Sequence, residues 1–348
     1  MQADPTLAEL GWAAGFEDQL TADDLNFDPA RVTAVNRDRL SVLSEAGAAL
    51  LELPPGLSAG SVAVGDWVLA DPATRRVARV LARKSRIARG AAGDGGREQL
   101  IVANVDRVFL VTSCNADFNE ARLERFLALA HSGGVPPAIL LTKTDKTDQA
   151  ESYTARARAC APDVPVLALN AKDPAAVEAL RPLCGRGQTV AFLGTSGVGK
   201  STLISALIGR KLATADIRED DARGRHTTTA RELYPVPGGG WVIDTPGMRE
   251  LRLADTAEGI DATFAEIGEL ARACRFSDCT HAAEPGCAVQ AAIAEGRLEP
   301  ARVARWQKLQ GEESANQAAL TARARRADGR RRTPAKPRPR AKPRLFED

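Results

Sequence analysis

The sequence predicts a multidomain α/β fold: a doubly wound central sheet of permuted order, a small five-stranded barrel before it, and a cysteine-bearing helical domain after it. Three observations carry that prediction. Gly194-Thr195-Ser196-Gly197-Val198-Gly199-Lys200-Ser201 fits the phosphate-binding pattern G-x-x-x-x-G-K-[ST] and follows the apolar run 189–193, which reads as a buried strand. Asp244-Thr245-Pro246-Gly247 follows a second apolar run, 241–243, and belongs at the same phosphate end. Two base-reading loops, Thr142-Lys143-Thr144-Asp145 and Asn170-Ala171-Lys172, lie upstream of both motifs instead of downstream. That order is the order of a circularly permuted P-loop domain. A doubly wound sheet tolerates it, because joining the ends and reopening the chain elsewhere leaves every strand in its place.

Residues 1–28 read as a loosely ordered leader with one short amphipathic piece at Leu7-Ala8-Glu9-Leu10. Five β-type runs follow at 31–35, 40–43, 48–53, 66–70 and 77–81, parted by Pro, Gly and Asp turns, and predict an OB-type barrel over residues 29–97. Directly after the last run stand Arg83, Lys84, Arg86 and Arg89, then a glycine-rich stretch at 90–96 that reads as a hinge. The basic cluster reads either as an RNA contact or as a solvated linker.

From Gln99 the pattern becomes α/β, with a strand at 105–111 and a helix at 119–131 whose Leu123, Phe126, Leu127 and Ala130 recur at three-to-four spacing. The run 138–141 delivers the first base-reading loop, and a helix at 202–208 follows the phosphate loop. Residues 223–229 read as a glycine-bearing loop. Together these define a nucleotide domain over 98–252.

The residue types suit guanine nucleotide chemistry. Backbone N–H groups from Gly197 to Thr202, at a helix N-terminus, cradle phosphates because glycines permit close approach and the helix dipole favours anions. Lys200 is placed to bridge the β- and γ-phosphates, Ser201 to give its hydroxyl to Mg²⁺, Asp244 to hold the same ion, and the Gly247 amide to meet the γ-phosphate. Asp145 can accept both N1–H and the exocyclic amine of guanine, whereas adenine leaves the carboxylate unpaired at about 1–3 kcal/mol. The expected substrate and product are therefore GTP and GDP. Lys143 should lay its stem along the base, and Ala171 and Lys172 should add a backbone donor. Guanine loops usually open with Asn. Thr142 stands there instead, and its hydroxyl makes fewer contacts than an amide.

Cys274, Cys279, His281 and Cys287 fall within fourteen residues, with Pro285 and Gly286 turning the chain, and suit a closed tetrahedral site for one structural Zn²⁺. Phe264, Ile267, Leu298, Val303, Trp306 and Leu309 at helical spacing predict a small helical domain stapled by that metal over 253–320. The other three cysteines stand alone, which excludes a disulfide scaffold.

The net charge of +2 conceals an asymmetry. Residues 323–344 carry 11 Lys or Arg and one acid, leaving 36 basic against 44 acidic residues elsewhere. The stretch 321–348 accordingly reads as a basic, disordered tail with little to bury and affinity for a phosphate backbone. No apolar run is long enough to span a membrane and the start lacks a signal-peptide pattern, so the expected location is cytoplasmic with no membrane partner.

The permuted order, Gly224-Arg225-His226-Thr227-Thr228-Thr229, Asp244-Thr245-Pro246-Gly247 and the zinc spacing together resemble the RsgA (YjeQ) family of small ribosomal subunit biogenesis GTPases, within the circularly permuted TRAFAC class, over about residues 30–320. The resemblance implies an OB barrel, a permuted GTPase domain, a zinc domain, the small ribosomal subunit and its rRNA as partners, and subunit-stimulated GTP hydrolysis during late maturation. A chain monomeric when free is expected. The water-positioning Gln usual after the γ-phosphate glycine is absent, and Met248 stands there. His226 is then the best candidate to orient the attacking water. Thr228, with Thr227 and Thr229 as alternatives, would complete Mg²⁺ coordination. A free-standing regulatory GTPase or a passive RNA-binding protein with a decayed site are the other classes; intact Lys200, Ser201, Asp244 and Asp145 argue against the latter.

Overall fold

Residues 4–27, where a loose leader is expected, are packed into the molecule. The computed structural model describes residues 4–90, 98–212, 231–245 and 255–332. Leu10 and Phe16 are buried, Phe16 on the single-turn helix α1 (Ala14–Glu17), and Trp12 meets Trp67 edge-on with ring centroids 4.9 Å apart. Large apolar side chains contribute about 1.5–3 kcal/mol each on burial, enough to order a short segment. The buried guanidinium of Arg31 donates to the Leu10 carbonyl and to Thr189 Oγ1 at 2.6 Å, and Trp241 Nε1 donates to the Glu9 carbonyl at 2.6 Å. The leader therefore seals the seam between barrel and central sheet.

The barrel consists of β1 (Asp28–Val35), β2 (Arg39–Ser44), β3 (Gly47–Glu52), β4 (Trp67–Asp71) and β5 (Arg76–Val80). They pair in the order β1-β2-β3-β5-β4, and β4 returns to β1, so the sheet closes. Alternation sends Val32, Leu40, Val42, Leu51, Val68 and Val77 inward. A hairpin follows, β6 (Arg86–Gly90) and β7 (Glu98–Ala103). Residues 91–97, most of the expected hinge, lie outside the described residues, and the expected boundary at 97 falls inside this hairpin.

The central sheet contains β8 (Arg107–Ser113), β9 (Pro137–Thr142), β10 (Val166–Ala168), β11 (Thr189–Gly194), β12 (Glu232–Val236) and β13 (Gly240–Asp244). Helices α2 (Glu120–Ser132), α3 (Ala150–Cys160), α4 (Pro174–Glu178) and α5 (Lys200–Ile208) lie between them in sequence. The strand order is β10-β9-β8-β11-β13-β12, parallel throughout except that β12 runs antiparallel to β13. The chain builds outward in one direction from β8 and in the other from β11. Between those two strands lies the switch point, where doubly wound sheets bind ligands at their carboxyl ends. At its far edge, Glu232 on β12 pairs with Ala34 of the barrel, making one 11-stranded sheet.

The C-terminal helices are α6 (Ala257–Thr263), α7 (Ala265–Arg272), α8 (Ala288–Ala294) and α9 (Pro300–Arg332). α9 runs past 320, so the segment 321–332 is helical where composition predicts a disordered tail. Its run of Ala and Arg, both strong helix formers, extends a helix already anchored by packing at its start. These helices share one core with the face of the sheet covered by α2. Gly259 touches α2 so closely that a Cβ there would lie 2.0 Å from the Ala128 carbonyl oxygen. Glu124 on α2 is fully buried and is held by Arg302 at 3.0 Å and by Arg305 through bonds of 2.6 and 2.9 Å. Arg125 adds a two-pronged pair with Glu312, at 2.6 and 2.9 Å.

Candidate functional site

The phosphate loop leaves β11 at Gly194 and enters α5 at Lys200. Gly197 and Gly199 take φ values of +80° and +99°, left-handed conformations that side chains resist. Gly194 allows another close approach, since a Cβ there would lie 2.4 Å from the Val111 carbonyl oxygen. Ser196 and Gly197 are exposed, Thr195 and Ser201 half-buried, Thr202 exposed, and Val198 buried. The loop thus presents backbone donors at a helix N-terminus.

Lys200 is buried, and its ammonium donates to the carbonyls of Gly194 at 2.9 Å and Thr195 at 2.8 Å. Burial lowers its pKa from 10.5 to about 8, partly opposed by Asp244. Asp244, at the end of β13, is shifted upward by burial, against the pull of Lys200. Both charges are thus poorly compensated by one another. Thr245 anchors the end of the strand by donating to the Phe192 carbonyl. His226, Thr228 and Gly247 lie outside the described residues.

The base-reading loops arrive from β9 and from the end of β10. Lys143 adopts φ +61°, a left-handed conformation in a non-glycine residue, and Thr144 and Asp145 form a single 3₁₀ turn with Lys146. Asp145 is exposed, with Lys146 Nζ 3.9 Å from its carboxylate. Asn170 Oδ1 accepts from the Lys172 amide at 3.0 Å, a side-chain turn that holds buried Ala171 beneath it. A groove of about 510 Å³ runs along α5, lined by Ala171, Lys172, Ser201, Thr202 and Arg210 among others. It joins one base-side loop to the phosphate side.

Thr142 is fully buried, and its hydroxyl donates to the Val198 carbonyl at 2.5 Å, with the Thr112 carbonyl 3.2 Å away. The residue that departs from the usual guanine loop therefore ties that loop to the phosphate loop. Sequence reasoning missed this contact because Val198 is recruited through its backbone, which carries no sequence signal.

Cys274, Cys279, His281 and Cys287 come together with all four ligand atoms within 4.8 Å of one another. Cys274 and Cys287 sulfurs are 3.9 Å apart, and His281 Nδ1 is 3.5 and 3.6 Å from them. A tetrahedral zinc with bonds of about 2.3 Å to sulfur and about 2.0 Å to nitrogen sets sulfur–sulfur edges near ~3.8 Å and sulfur–nitrogen edges near ~3.6 Å. The cluster therefore fits zinc. Gln290, also unforeseen, donates from its backbone to Cys287 Sγ at 3.4 Å and from its side chain to the His281 carbonyl at 2.6 Å. Trp306 packs on the imidazole at 5.4 Å between ring centroids. Such outer contacts fix ligand orientation.

The basic cluster after the barrel is mostly neutralised internally. Arg83 pairs with Asp66 at 2.7 Å, Lys84 with Asp106 at 2.6 Å and Arg86 with Glu98 at 3.2 Å. Arg89 meets only the neutral Gln99, at 3.1 Å, among the described residues.

Permuted strand order, a phosphate loop and a guanine loop at the carboxyl ends of the strands define a circularly permuted GTPase. Residues 80–254 match the model of the RsgA GTPase family. The chain is 54% identical over 316 residues to the small ribosomal subunit biogenesis GTPase RsgA of Mesorhizobium japonicum, covering 90% of this chain and 91% of that protein. It is 47% identical to the RsgA 2 protein of Vibrio vulnificus, covering 89% of each. Among solved structures it resembles YjeQ from Thermotoga maritima, with TM-score 0.59 and 26% identity over 81% of this chain and 97% of that one. YloQ, described as a circularly permuted GTPase, shares the fold, with TM-score 0.58, 23% identity and coverage of 85% and 98%. This chain belongs to the RsgA GTPase family.

Proposed function

We propose that the protein binds GTP, hydrolyses it to GDP, and acts in maturation of the small ribosomal subunit, with turnover stimulated by that subunit. The observation that carries this reading is the joint placement of the phosphate loop, Asp244 and the two base-side loops at one edge of a permuted sheet, in a chain whose relatives are named for that process.

In this reading the loop from Gly194 to Thr202 holds the phosphates, and Lys200 gives up its two carbonyl partners for the β- and γ-phosphates. Asp145 selects guanine, assisted by Lys143, Thr144, Asn170, Ala171 and Lys172. Thr142 keeps the two halves of the site in register. The hydroxyl of Ser201 and the carboxylate of Asp244 are hard oxygen donors suited to Mg²⁺, with Thr228 as a further donor. When bound, that ion neutralises charge developing on the phosphates. The Gly247 amide meets the γ-phosphate and His226 orients the attacking water. Cys274, Cys279, His281 and Cys287 hold one structural Zn²⁺.

The partner surface includes rRNA, and the protein works as a monomer in the cytoplasm. No helix among the described residues is long and apolar enough to cross a membrane. The test is GTP hydrolysis titrated with purified small subunits. Turnover should rise with subunit concentration in the wild type and stay near its basal level in His226→Ala, whose nucleotide affinity should be little changed. Turnover indifferent to subunits would overturn the reading.

A further inference from the structure

Arg231, half-buried on the nucleotide-domain side of the seam, has no ion-pair partner among the described residues. Its Nε is fully buried and makes no hydrogen bond, and no carboxylate pairs with its guanidinium among the described residues. It lines a cleft of about 360 Å³ between the barrel and the β6–β7 hairpin, together with Val35, Asn36, Gly60, Gln99 and Leu100. No acidic side chain among the described residues contributes to that lining. Arg89 stands close enough to act on it electrostatically, and both the cleft and its neighbour depress the Arg231 pKa. Among the described residues Arg89 is also the member of the basic cluster left without an acid, while Arg83, Lys84 and Arg86 are each paired.

Burying even the Nε of a guanidinium without a hydrogen-bond acceptor is costly, and native proteins retain such groups where something external satisfies them. A planar donor fork in a pocket free of carboxylates is complementary to a phosphate oxygen pair. We propose that this cleft is a binding site for a phosphodiester of RNA, held by Arg231 with Arg89 as its neighbouring cation. The choice of RNA over a free anion rests on the proposed action on ribosomal subunits, where the backbone offers phosphates in series. The position adds a consequence. Arg231 immediately precedes Glu232, which pairs with Ala34 of the barrel on one side and with Asp244 on the other. A phosphate seated in the cleft therefore lies one residue from the strand that flanks the metal-side carboxylate.

The test uses the full-length protein and a fluorescent single-stranded RNA oligonucleotide of mixed sequence, titrated at several salt concentrations. Arg231→Gln and Arg89→Gln should each weaken binding about tenfold and reduce the salt slope by about one, while Arg231→Lys keeps the slope. Since Arg231 lacks a partner among the described residues, Arg231→Gln should melt no lower than the wild type, which separates lost contact from lost fold. Unchanged affinity and slope in Arg231→Gln overturn the proposal, as does a wild type that fails to bind RNA at low salt. A melting-point rise with inorganic phosphate alone that disappears in Arg231→Gln, without RNA binding, overturns the RNA assignment in favour of a free anion. RNA binding that depends on Arg231 alongside GTP turnover indifferent to subunits supports the cleft and sinks the ribosomal reading instead.

Discussion

Thr142 and Val198, 56 residues apart, meet through a hydroxyl-to-carbonyl bond of 2.5 Å that joins the base-reading loop to the phosphate loop. The bond is buried, so the carbonyl has no water to turn to when the hydroxyl is removed. Thr142→Val keeps the shape and leaves that acceptor unpaired, at about 1–3 kcal/mol. Guanine nucleotide affinity should fall roughly tenfold with the preference over adenine retained. Titration with fluorescent GDP and ADP analogues checks both parts, and an unchanged GDP affinity would remove Thr142 from the site.

Lys200 sets the pH dependence. In the proposed site the phosphates need its ammonium, which burial has brought from 10.5 down to about 8. Below pH 8 the free protein already carries the charge, so affinity should be level. Above it, binding must take up a proton, and affinity should fall with rising pH. Folding has the opposite sign: the penalty for the buried ammonium is fully present below pH 8 and relieved as pH rises toward 10.5. Isothermal titration of GDP between about pH 7 and about pH 9 should show the break in the wild type. Lys200→Ala should lose productive GTP binding and keep its fold. Wild-type affinity in that variant refutes the assignment of the phosphate loop.

Metal analysis of the purified protein should find one zinc per chain, and Cys279→Ser should lose it. Because Trp306 packs on His281, chelation should also expose that indole. The resulting red shift in fluorescence should vanish in Trp306→Phe. A zinc-free wild type, or a variant that keeps its metal, contradicts the site.

Glu124→Gln should be among the most damaging substitutions far from the nucleotide. It leaves Arg302 and Arg305 without their buried anion, a loss of about 3–5 kcal/mol. Thermal melting should drop by several degrees, and zinc content should stay at one per chain because no ligand is touched. An unaltered melting temperature would mean that the pair adds nothing to the join between α2 and α9.

Much of this was legible in advance for a local reason. The barrel strands announce themselves through closely spaced apolar runs, the phosphate loop and base-side loops are each contiguous in sequence, and the cysteine and histidine cluster falls within fourteen residues. What escaped depends on partners far along the chain. Leu10, Trp12 and Phe16 look like a loose leader until Trp67 is brought to them. Arg83 and Lys84 look like a free basic patch until Asp66 and Asp106 arrive from elsewhere. The burial of Glu124 is a tertiary fact, invisible in a helix whose pattern marks only Leu123, Phe126, Leu127 and Ala130 as inward. Helix α9 exceeds its composition-based limit because its anchored beginning supplies the nucleus that an isolated Ala- and Arg-rich segment lacks.

The permuted strand order also bears on how the chain is made. Strand β8 takes β9 as a neighbour soon after both are synthesised, but its other neighbour, β11, starts only at Thr189. At about 5–20 residues per second, one edge of β8 waits roughly 4–15 s for its partner. The barrel and the base-side half of the sheet must therefore survive on the nascent chain with an open hydrophobic edge, and this interval is when aggregation or chaperone capture competes most with folding.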